Sequence, residues 1–178
     1  DLTVDNNDTW VPAKKGETVL VRTGEVYFHN TSGQRKGTGS YFTPSFVVEH
    51  LLERSLDPVL DAHLEKVAAR LDKGDTTGAH ALFFDFRVAD IAMGSGHFLT
   101  AAIDHLENRM SAFLNDHPIP GVLAELSLLG KAAREAAGPD VPDAEPSALL
   151  RRQIARRCIY GLDLNPIAVE LARVSIWI

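Results

Sequence analysis

The sequence predicts an α/β fold in which a parallel sheet is flanked by helices. The apolar runs ALFFDFRVADIA (81–92) and CIYGLDL (158–164) are strand candidates, and each leads through a short turn into an amphipathic helix. Strands that alternate with helices in this way are typical of parallel sheets, because a helix returns the chain to the edge where the next strand begins. Two strands are only the beginning of such a sheet, so we expect an incomplete fold.

Residues 1–38 are predicted to form an N-terminal extension with a hairpin and a flexible loop. Residues 1–16 are polar, and we expect them to be loosely ordered. The segment ETVLVRTGEVYFHN (17–30) contains two β-rich runs around Thr23-Gly24, which favours a hairpin. TSGQRKGTGS (31–40) is rich in Gly and Ser, as flexible loops are, and it does not match the phosphate-loop pattern G-x-x-x-x-G-K-[ST].

The main predicted domain begins with two helices. Thr43 is suited to cap a helix whose first residue is Pro44, because proline has no N–H to satisfy at that position. Apolar side chains then recur every four residues on one face, at Val48, Leu52 and Leu56. Asp57-Pro58 signals a second helix, which continues to about Lys73. We expect GDTTGAH (74–80) to be a turn.

Four further helices are predicted around the second strand candidate. One extends from Gly96 to about Asn115, where apolar residues recur every four positions, and another covers 119–137. AGPDVPDAEP (137–146) contains three prolines and is predicted to be a linker. Pro146 starts a basic helix that ends near Arg157, and Asn165-Pro166 opens the last helix.

Composition narrows the classes of function. The chain has 178 residues, enough for one domain with a core, and a formal net charge of −6. Nucleic-acid-binding surfaces are usually basic, and this chain is acidic. If the protein acts on DNA, most of the phosphate contacts would therefore have to come from residues outside this chain. Cys158 is the only cysteine, which excludes an internal disulfide. The histidines lack metal-ligand spacing, and there is no signal peptide or membrane-length apolar run, so we expect no metal, no membrane contact and a cytoplasmic location.

The stretch ADIAMGSGHF (89–98) is the first candidate site. A strand that ends at Asp90 is followed by Gly94-Ser95-Gly96 at the start of a helix. N–H groups without intrahelical partners make such a helix start favourable for an anion, and glycine permits positive φ and close approach of a ligand. A purely structural strand-to-helix turn explains the same residues, so this motif alone does not decide the function.

Asp163, at the end of the second strand candidate, is the next candidate site residue. An acid at this place in nucleotide-binding α/β folds accepts hydrogen bonds from ribose hydroxyls, although capping of the following turn is an alternative. The dinucleotide pattern G-x-G-x-x-G fails because Leu99 replaces its third glycine. Asp90 disfavours a pyrophosphate, whereas S-adenosylmethionine offers a carboxylate together with cationic groups. The residues therefore favour S-adenosylmethionine as the cofactor.

Three motifs then carry a resemblance to a known family. DIAMGSGHF (90–98) is similar to D-P-A-x-G-S-G-x-F, and GSYFTPSFVVEHLL (39–52) to an F/Y-T-P element before a helix. IYGLDLNPIAVELARVSIWI (159–178) is similar to a strand–acid–x–N–P–helix motif. In this order they resemble the N-terminal part of the adenine-specific DNA methyltransferase domain of type IIG restriction–modification enzymes and related phage-defence methyltransferases. The resemblance implies that residues 39–178 begin a Rossmann-like S-adenosylmethionine-dependent methyltransferase fold.

The resemblance also implies which residues hold the cofactor. The F-T-P element corresponds to Tyr41, Phe42, Thr43 and Pro44. The glycine motif corresponds to Asp90, Ala92, Gly94, Ser95, Gly96 and Phe98. The third motif contributes Asp163, Leu164 and Asn165. Thr43 would contact the methionine carboxylate, the glycine motif would surround the methionine part, Asp163 would hold the ribose hydroxyls, and Leu164 and Asn165 would lie beside the adenine.

The sequence departs from the family pattern at two points. Ile91 stands where proline is usual, and the catalytic tetrapeptide N-P-P-Y or D-P-P-Y is absent, because Asn165-Pro166 is followed by Ile and Ala. The resemblance thus implies the cofactor-binding part of an enzyme that methylates the exocyclic amino group of adenine in DNA. It implies no catalytic residue in this chain and no activity of the chain alone.

The resemblance implies DNA as a partner through the parent protein, along with a missing C-terminal methyltransferase half and a target-recognition region. The setting would be a bacterial or archaeal restriction–modification or phage-defence system. Trp177 and Ile178 would pack against the missing sheet, which predicts self-association of this chain. Arg151, Arg152, Arg156 and Arg157 form a basic patch that faces either solvent or a phosphate backbone. Two alternatives stay open: a nucleotide-binding or interaction module without transferase chemistry, and a methyltransferase that acts on RNA or protein.

Overall fold

The computed structural model describes residues 1–5, 10–24, 44–138 and 144–177. Contacts within the chain divide it into two units, Asp1–Tyr41 and Phe42–Ile178. The described part is mostly helical, with two small sheets, one of them parallel. The predicted α/β class is confirmed at this level.

The first unit contains an antiparallel pair of short strands. Strand β1 (Leu2–Val4) pairs with β2 (Trp10–Pro12), and Thr3 lies opposite Val11. Val21 forms an isolated bridge with Leu2. For the described residues of 1–16, the expectation of loose order was wrong, because backbone hydrogen bonds pair two short strands within this mostly polar stretch.

The predicted hairpin over 17–30 is only partly represented in the structure. Val21 bridges back to Leu2, and Thr23-Gly24 forms a turn. The Asp1 carboxylate accepts a hydrogen bond from the Thr23 N–H at 3.0 Å. The second arm of the hairpin and the loop over 31–40 lie outside the described residues.

The second unit alternates helices with two strands. In chain order its elements are α1 (Ser45–Ser55), α2 (Asp57–Asp72), α3 (Thr76–Phe83), β3 (Val88–Asp90), α4 (His97–Asp116), α5 (Pro120–Ala137), α6 (Pro146–Arg157), β4 (Ile159–Gly161) and α7 (Pro166–Trp177). The predicted helices over 96–115, 119–137 and 146–157 agree with α4, α5 and α6 to within about two residues.

Strands β3 and β4 form a parallel pair. Val88 lies opposite Ile159 and Asp90 opposite Gly161, so both strands end at the same edge of the sheet. Helices α4, α5 and α6 connect them. This register brings the residues after Asp90 next to the residues after Gly161, although about 70 positions of sequence separate them.

Helix α4 is the centre of the core. It buries one apolar face, formed by Leu99, Ala102, Ile103, Leu106, Met110 and Leu114. Helices α1, α6 and α7 pack against it. Fully burying a large aliphatic side chain contributes about 1.5–3 kcal/mol, so this face fixes the position of α4 and of the glycine turn at its start.

Three predicted elements differ from the structure. The predicted turn over 74–80 is limited to its start, because Asp75 accepts a hydrogen bond from the Gly78 N–H at 2.8 Å and so starts α3 at Thr76. The predicted strand over 81–92 is reduced to Val88–Asp90, since a short apolar run does not distinguish a helix end from a strand. Helix α1 begins at Ser45 with Pro44 as its N-cap, one residue later than predicted.

Candidate cofactor-binding site

The carboxyl ends of β3 and β4 remain joined beyond the strands. The Leu162 N–H donates to the Asp90 carbonyl at 2.9 Å, and the Met93 N–H donates to the Leu162 carbonyl at 3.0 Å. The two chain segments therefore leave the sheet side by side. This pairing places the glycine motif against the residues that surround Asp163.

The glycine turn contains two positions with positive φ. Gly94 has φ +55° and Gly96, the N-cap of α4, has φ +82°. A Cβ at Gly96 would lie 3.0 Å from the Cβ of Ala172 and 3.1 Å from its Cα, so only glycine lets α7 approach this closely. A Cβ at Gly94 would meet nothing within 4 Å. One glycine therefore serves packing, and the other borders open space.

Helix α4 begins beside that open space. Its N-cap is a glycine, so no side chain caps the first turn. The start of an α-helix carries N–H groups without intrahelical partners and a partial positive charge, which favour a carboxylate or phosphate. Ser95 is half-buried in the turn, and Phe98 in the first helical turn packs against the core.

Asp163 connects the two motifs directly. One carboxylate oxygen accepts the Gly94 N–H at 2.9 Å, and the other accepts the Asn165 N–H at 2.7 Å. These two backbone N–H groups hold the pKa of the Asp163 carboxyl below its ordinary value, with Asn165 the larger cause. The side chain is thus an oriented carboxylate at neutral pH.

Asp90 places a second carboxylate at the same edge. Its Oδ1 accepts the Ala92 N–H at 3.0 Å, and the residue is half-buried. Two carboxylates favour a ligand with cationic groups and hydroxyls and disfavour a pyrophosphate. Together with the helix start, the edge offers complementary charge for a zwitterionic ligand.

The remaining predicted residues occupy different environments. Leu164 is fully exposed, and Ile91 is 81% exposed. The Asn165 side chain accepts the Ile167 N–H at 3.0 Å, so it orders the first turn of α7. Pro44 is exposed at the start of α1, whereas Tyr41, Phe42 and Thr43 lie outside the described residues. The structure thus brings two of the three motifs together, and of the third it describes only Pro44 and the helix that follows.

Gly161 is a site residue that the sequence reasoning missed. A Cβ there would collide with the Met93 sulfur and would lie 2.7 Å from Leu99 Cδ1. Its missing side chain therefore lets the glycine turn lie directly on the end of β4. A glycine inside a strand candidate was the available signal, since it often marks close approach of another segment.

Three of the four arginines in the predicted basic patch on α6 contact other side chains of the chain. Arg151 pairs with Asp104 at 2.8 Å, and Arg157 pairs with Glu125 at 3.3 Å. The Arg152 guanidinium lies over the Trp177 ring, 5.7 Å from its centroid. These contacts favour the solvated-face interpretation of the patch over a phosphate-binding surface.

Among the residues that the structure describes, no group of three His, Cys, Asp or Glu side chains is arranged to hold a metal ion. No helix in these ranges is long and apolar enough to cross a membrane.

Comparison with known proteins yields one distant relative. The chain is 22% identical over 169 residues to RM.MjaORFECS2P of Methanocaldococcus jannaschii, described as a proposed type II restriction enzyme and methyltransferase. The match covers 81% of this chain but 12% of the relative, so the chain corresponds to a small part of that protein's length. The chain matches no described protein-family profile and no solved structure.

Proposed function

We propose that the chain is the S-adenosylmethionine-binding part of an enzyme that methylates the exocyclic amino group of adenine in DNA, within a restriction–modification or phage-defence system. The observation that carries the proposal is the hydrogen bond between Gly94 and Asp163, which joins the glycine motif to the strand–acid–x–N–P–helix motif at one sheet edge. The similarity to a restriction enzyme and methyltransferase supports a methyltransferase-related role.

The described residues fit such a cofactor. A side chain at Gly94 would meet nothing within 4 Å, which is compatible with close approach of a ligand, and the start of α4, which no side chain caps, suits the methionine carboxylate. Asp90 suits the cationic groups, and Asp163 offers oxygens to the ribose hydroxyls. Exposed Leu164 gives an apolar surface for the adenine. When bound, S-adenosylmethionine supplies an electrophilic methyl group.

This chain's own contribution is to bind and orient. Gly94 leaves room for the ligand, and the core-anchored helix α4 holds the anion-binding end fixed, so little order has to be created on binding. No N-P-P-Y or D-P-P-Y tetrapeptide is present to receive a target base, and the target adenine would have to be flipped out of the duplex to reach any such site. We therefore expect binding without methyl transfer from the chain alone.

The test compares two glycines with similar backbones. Gly94 (φ +55°) and Gly74 (φ +75°) both border open space, so an alanine strains each turn in a similar way. Calorimetric titration with S-adenosylhomocysteine, the demethylated product, should show binding that Gly94→Ala weakens at least about tenfold, or ~1.4 kcal/mol, and Gly74→Ala leaves unchanged.

ATP and NAD serve as contrasting ligands in the same titration. A nucleotide-binding module without transferase chemistry would bind them at least as tightly as S-adenosylhomocysteine. The proposal expects the reverse order, because Asp90 and Asp163 repel a polyphosphate. Failure of the folded chain to bind S-adenosylhomocysteine would contradict an intact cofactor site.

A further inference from the structure

We propose that Asp163 is a positioning residue, which holds the glycine turn in its binding conformation before any cofactor is present. This role goes beyond a contact to the ribose, and it rests on the proposed function. The hydrogen bond from the Gly94 N–H joins residues 69 positions apart, at the ends of neighbouring strands. It is therefore a tertiary contact and not part of a local turn.

Two consecutive N–H groups anchor the turn to the segment after β4. The Met93 N–H donates to the Leu162 carbonyl, and the Gly94 N–H donates to the Asp163 carboxylate. No other group approaches the side of Gly94 where a side chain would stand. Within the turn, the Gly96 N–H donates to the Met93 carbonyl at 2.9 Å, and Met93 is buried in a cluster with Leu99 and Ala172. The two hydrogen bonds from Met93 and Gly94 are the ones that hold the turn backbone to the segment after β4, and the one to the carboxylate is charge-assisted and the stronger kind.

Asp163 is itself held in place from the other side. Its second oxygen accepts the Asn165 N–H at 2.7 Å, and the Asn165 side chain in turn accepts the Ile167 N–H at the start of α7. The chain of contacts runs from α7 through Asp163 to the glycine turn. The orientation of the carboxylate is thereby fixed without a ligand.

Positioning is compatible with binding a ribose. A carboxylate accepts about four hydrogen bonds, and backbone N–H groups use one position on each Asp163 oxygen. One position on each oxygen is left for two hydroxyls. The same side chain can therefore shape the turn and contact the ligand at once, which is preorganisation of a binding site by its supporting contacts.

The test measures amide exchange in the ligand-free chain by NMR. We expect Asp163→Ala to accelerate exchange of the Gly94 amide about tenfold or more, because its acceptor is lost. Asp163→Asn keeps one carbonyl oxygen and should retain part of both the protection and the affinity for S-adenosylhomocysteine. Asp75→Ala is the matched control: Asp75 accepts the Gly78 N–H at 2.8 Å, so its loss should accelerate exchange at the start of α3 and leave the Gly94 amide unchanged.

A preorganising role has a signature that a purely structural one lacks. In the unsubstituted chain, the protection of the Gly94 amide from hydrogen exchange should change little when S-adenosylhomocysteine binds. In the Asp163→Asn variant, the ligand should increase that protection. Unchanged Gly94 exchange in a folded Asp163→Ala variant would overturn the proposal, even if the cofactor still binds. Accelerated exchange without any cofactor binding by the unsubstituted chain would support the anchoring contact and contradict the proposed function instead.

Discussion

The two ends of the β3–β4 sheet differ in how their polar groups are used. At the amino end, Arg157 pairs with Glu125 and lies over the Phe84 ring, 4.3 Å from its centroid. At the carboxyl end, Gly94 borders open space and Asp163 presents a carboxylate with acceptor positions to spare. The contrast supports the proposed assignment of the ligand site to the carboxyl end, which is where ligands bind in open α/β sheets generally.

The largest expected effect lies in the core behind the amino end. Phe83 is fully buried and contacts Phe84 and Phe113 through ring packing. Phe83→Ala should lower the free energy of unfolding by about 3–5 kcal/mol, because a cavity is left behind. Chemical denaturation measures the loss, and the affinity of the molecules that remain folded for S-adenosylhomocysteine should not change. A change in that affinity would contradict the claim that the amino end does not contribute to binding at the carboxyl end.

At the carboxyl end, Gly96→Ala should cost roughly 2–4 kcal/mol of stability. The left-handed backbone disfavours a side chain, and the new Cβ would press on Ala172 at 3.0 Å. Unlike Phe83→Ala, this substitution should also weaken cofactor binding, because the added Cβ would push α7 away from the glycine turn and displace the turn. Denaturation and calorimetry on the same variant check both effects, and full affinity at reduced stability would show that the turn tolerates displacement.

Cys158 tests how closed the amino end is. Burial raises the pKa of its thiol from 9.0 to about 11. At pH 8 the folded chain should therefore react with a thiol reagent at least about a hundredfold more slowly than the unfolded chain, because the thiolate is scarcer and the thiol is fully buried. Because the pKa is raised only in the folded state, the unfolded chain loses its thiol proton at lower pH than the folded chain does. The free energy of unfolding should therefore be insensitive to this thiol below pH 9 and should fall as the pH rises toward 11. Equal labelling rates would show that the amino end is open.

The smallest expected effect concerns the ion pair between Arg157 and Glu125. Both side chains are about one-third exposed, so solvent screens the pair. Glu125→Gln, which also alters the 2.9 Å contact between Glu125 and His80, should lower the free energy of unfolding by no more than about 1 kcal/mol. Denaturation curves check this value. A loss of several kcal/mol would mean that the pair, and not the apolar packing, stabilises the amino end.

Patterns local to the chain were predicted well from the sequence. Helix α4 follows from apolar residues spaced by four, and α6 from Pro146 at its start, because each signal lies within the element itself. Helix α3 was missed, since Thr76, Thr77 and Gly78 are weak helix formers and the helix depends on the Asp75 cap.

Long-range features of the site could not be predicted in the same way. The bond between Gly94 and Asp163 depends on the register of β3 against β4, which no local pattern specifies. The need for glycine at position 161 likewise depends on Met93 and Leu99, which lie far away in the sequence. The motifs indicated which residues would form a site, and the sheet register explains how they meet.

Mapping amide shifts during titration with S-adenosylhomocysteine tests the central claim most directly. We predict the largest shifts at residues 90–98 and 161–165, with little change at Arg87 and Arg156 near the amino end. Shifts concentrated at the amino end, or no shifts in the folded chain, would contradict a cofactor site at the carboxyl ends of β3 and β4.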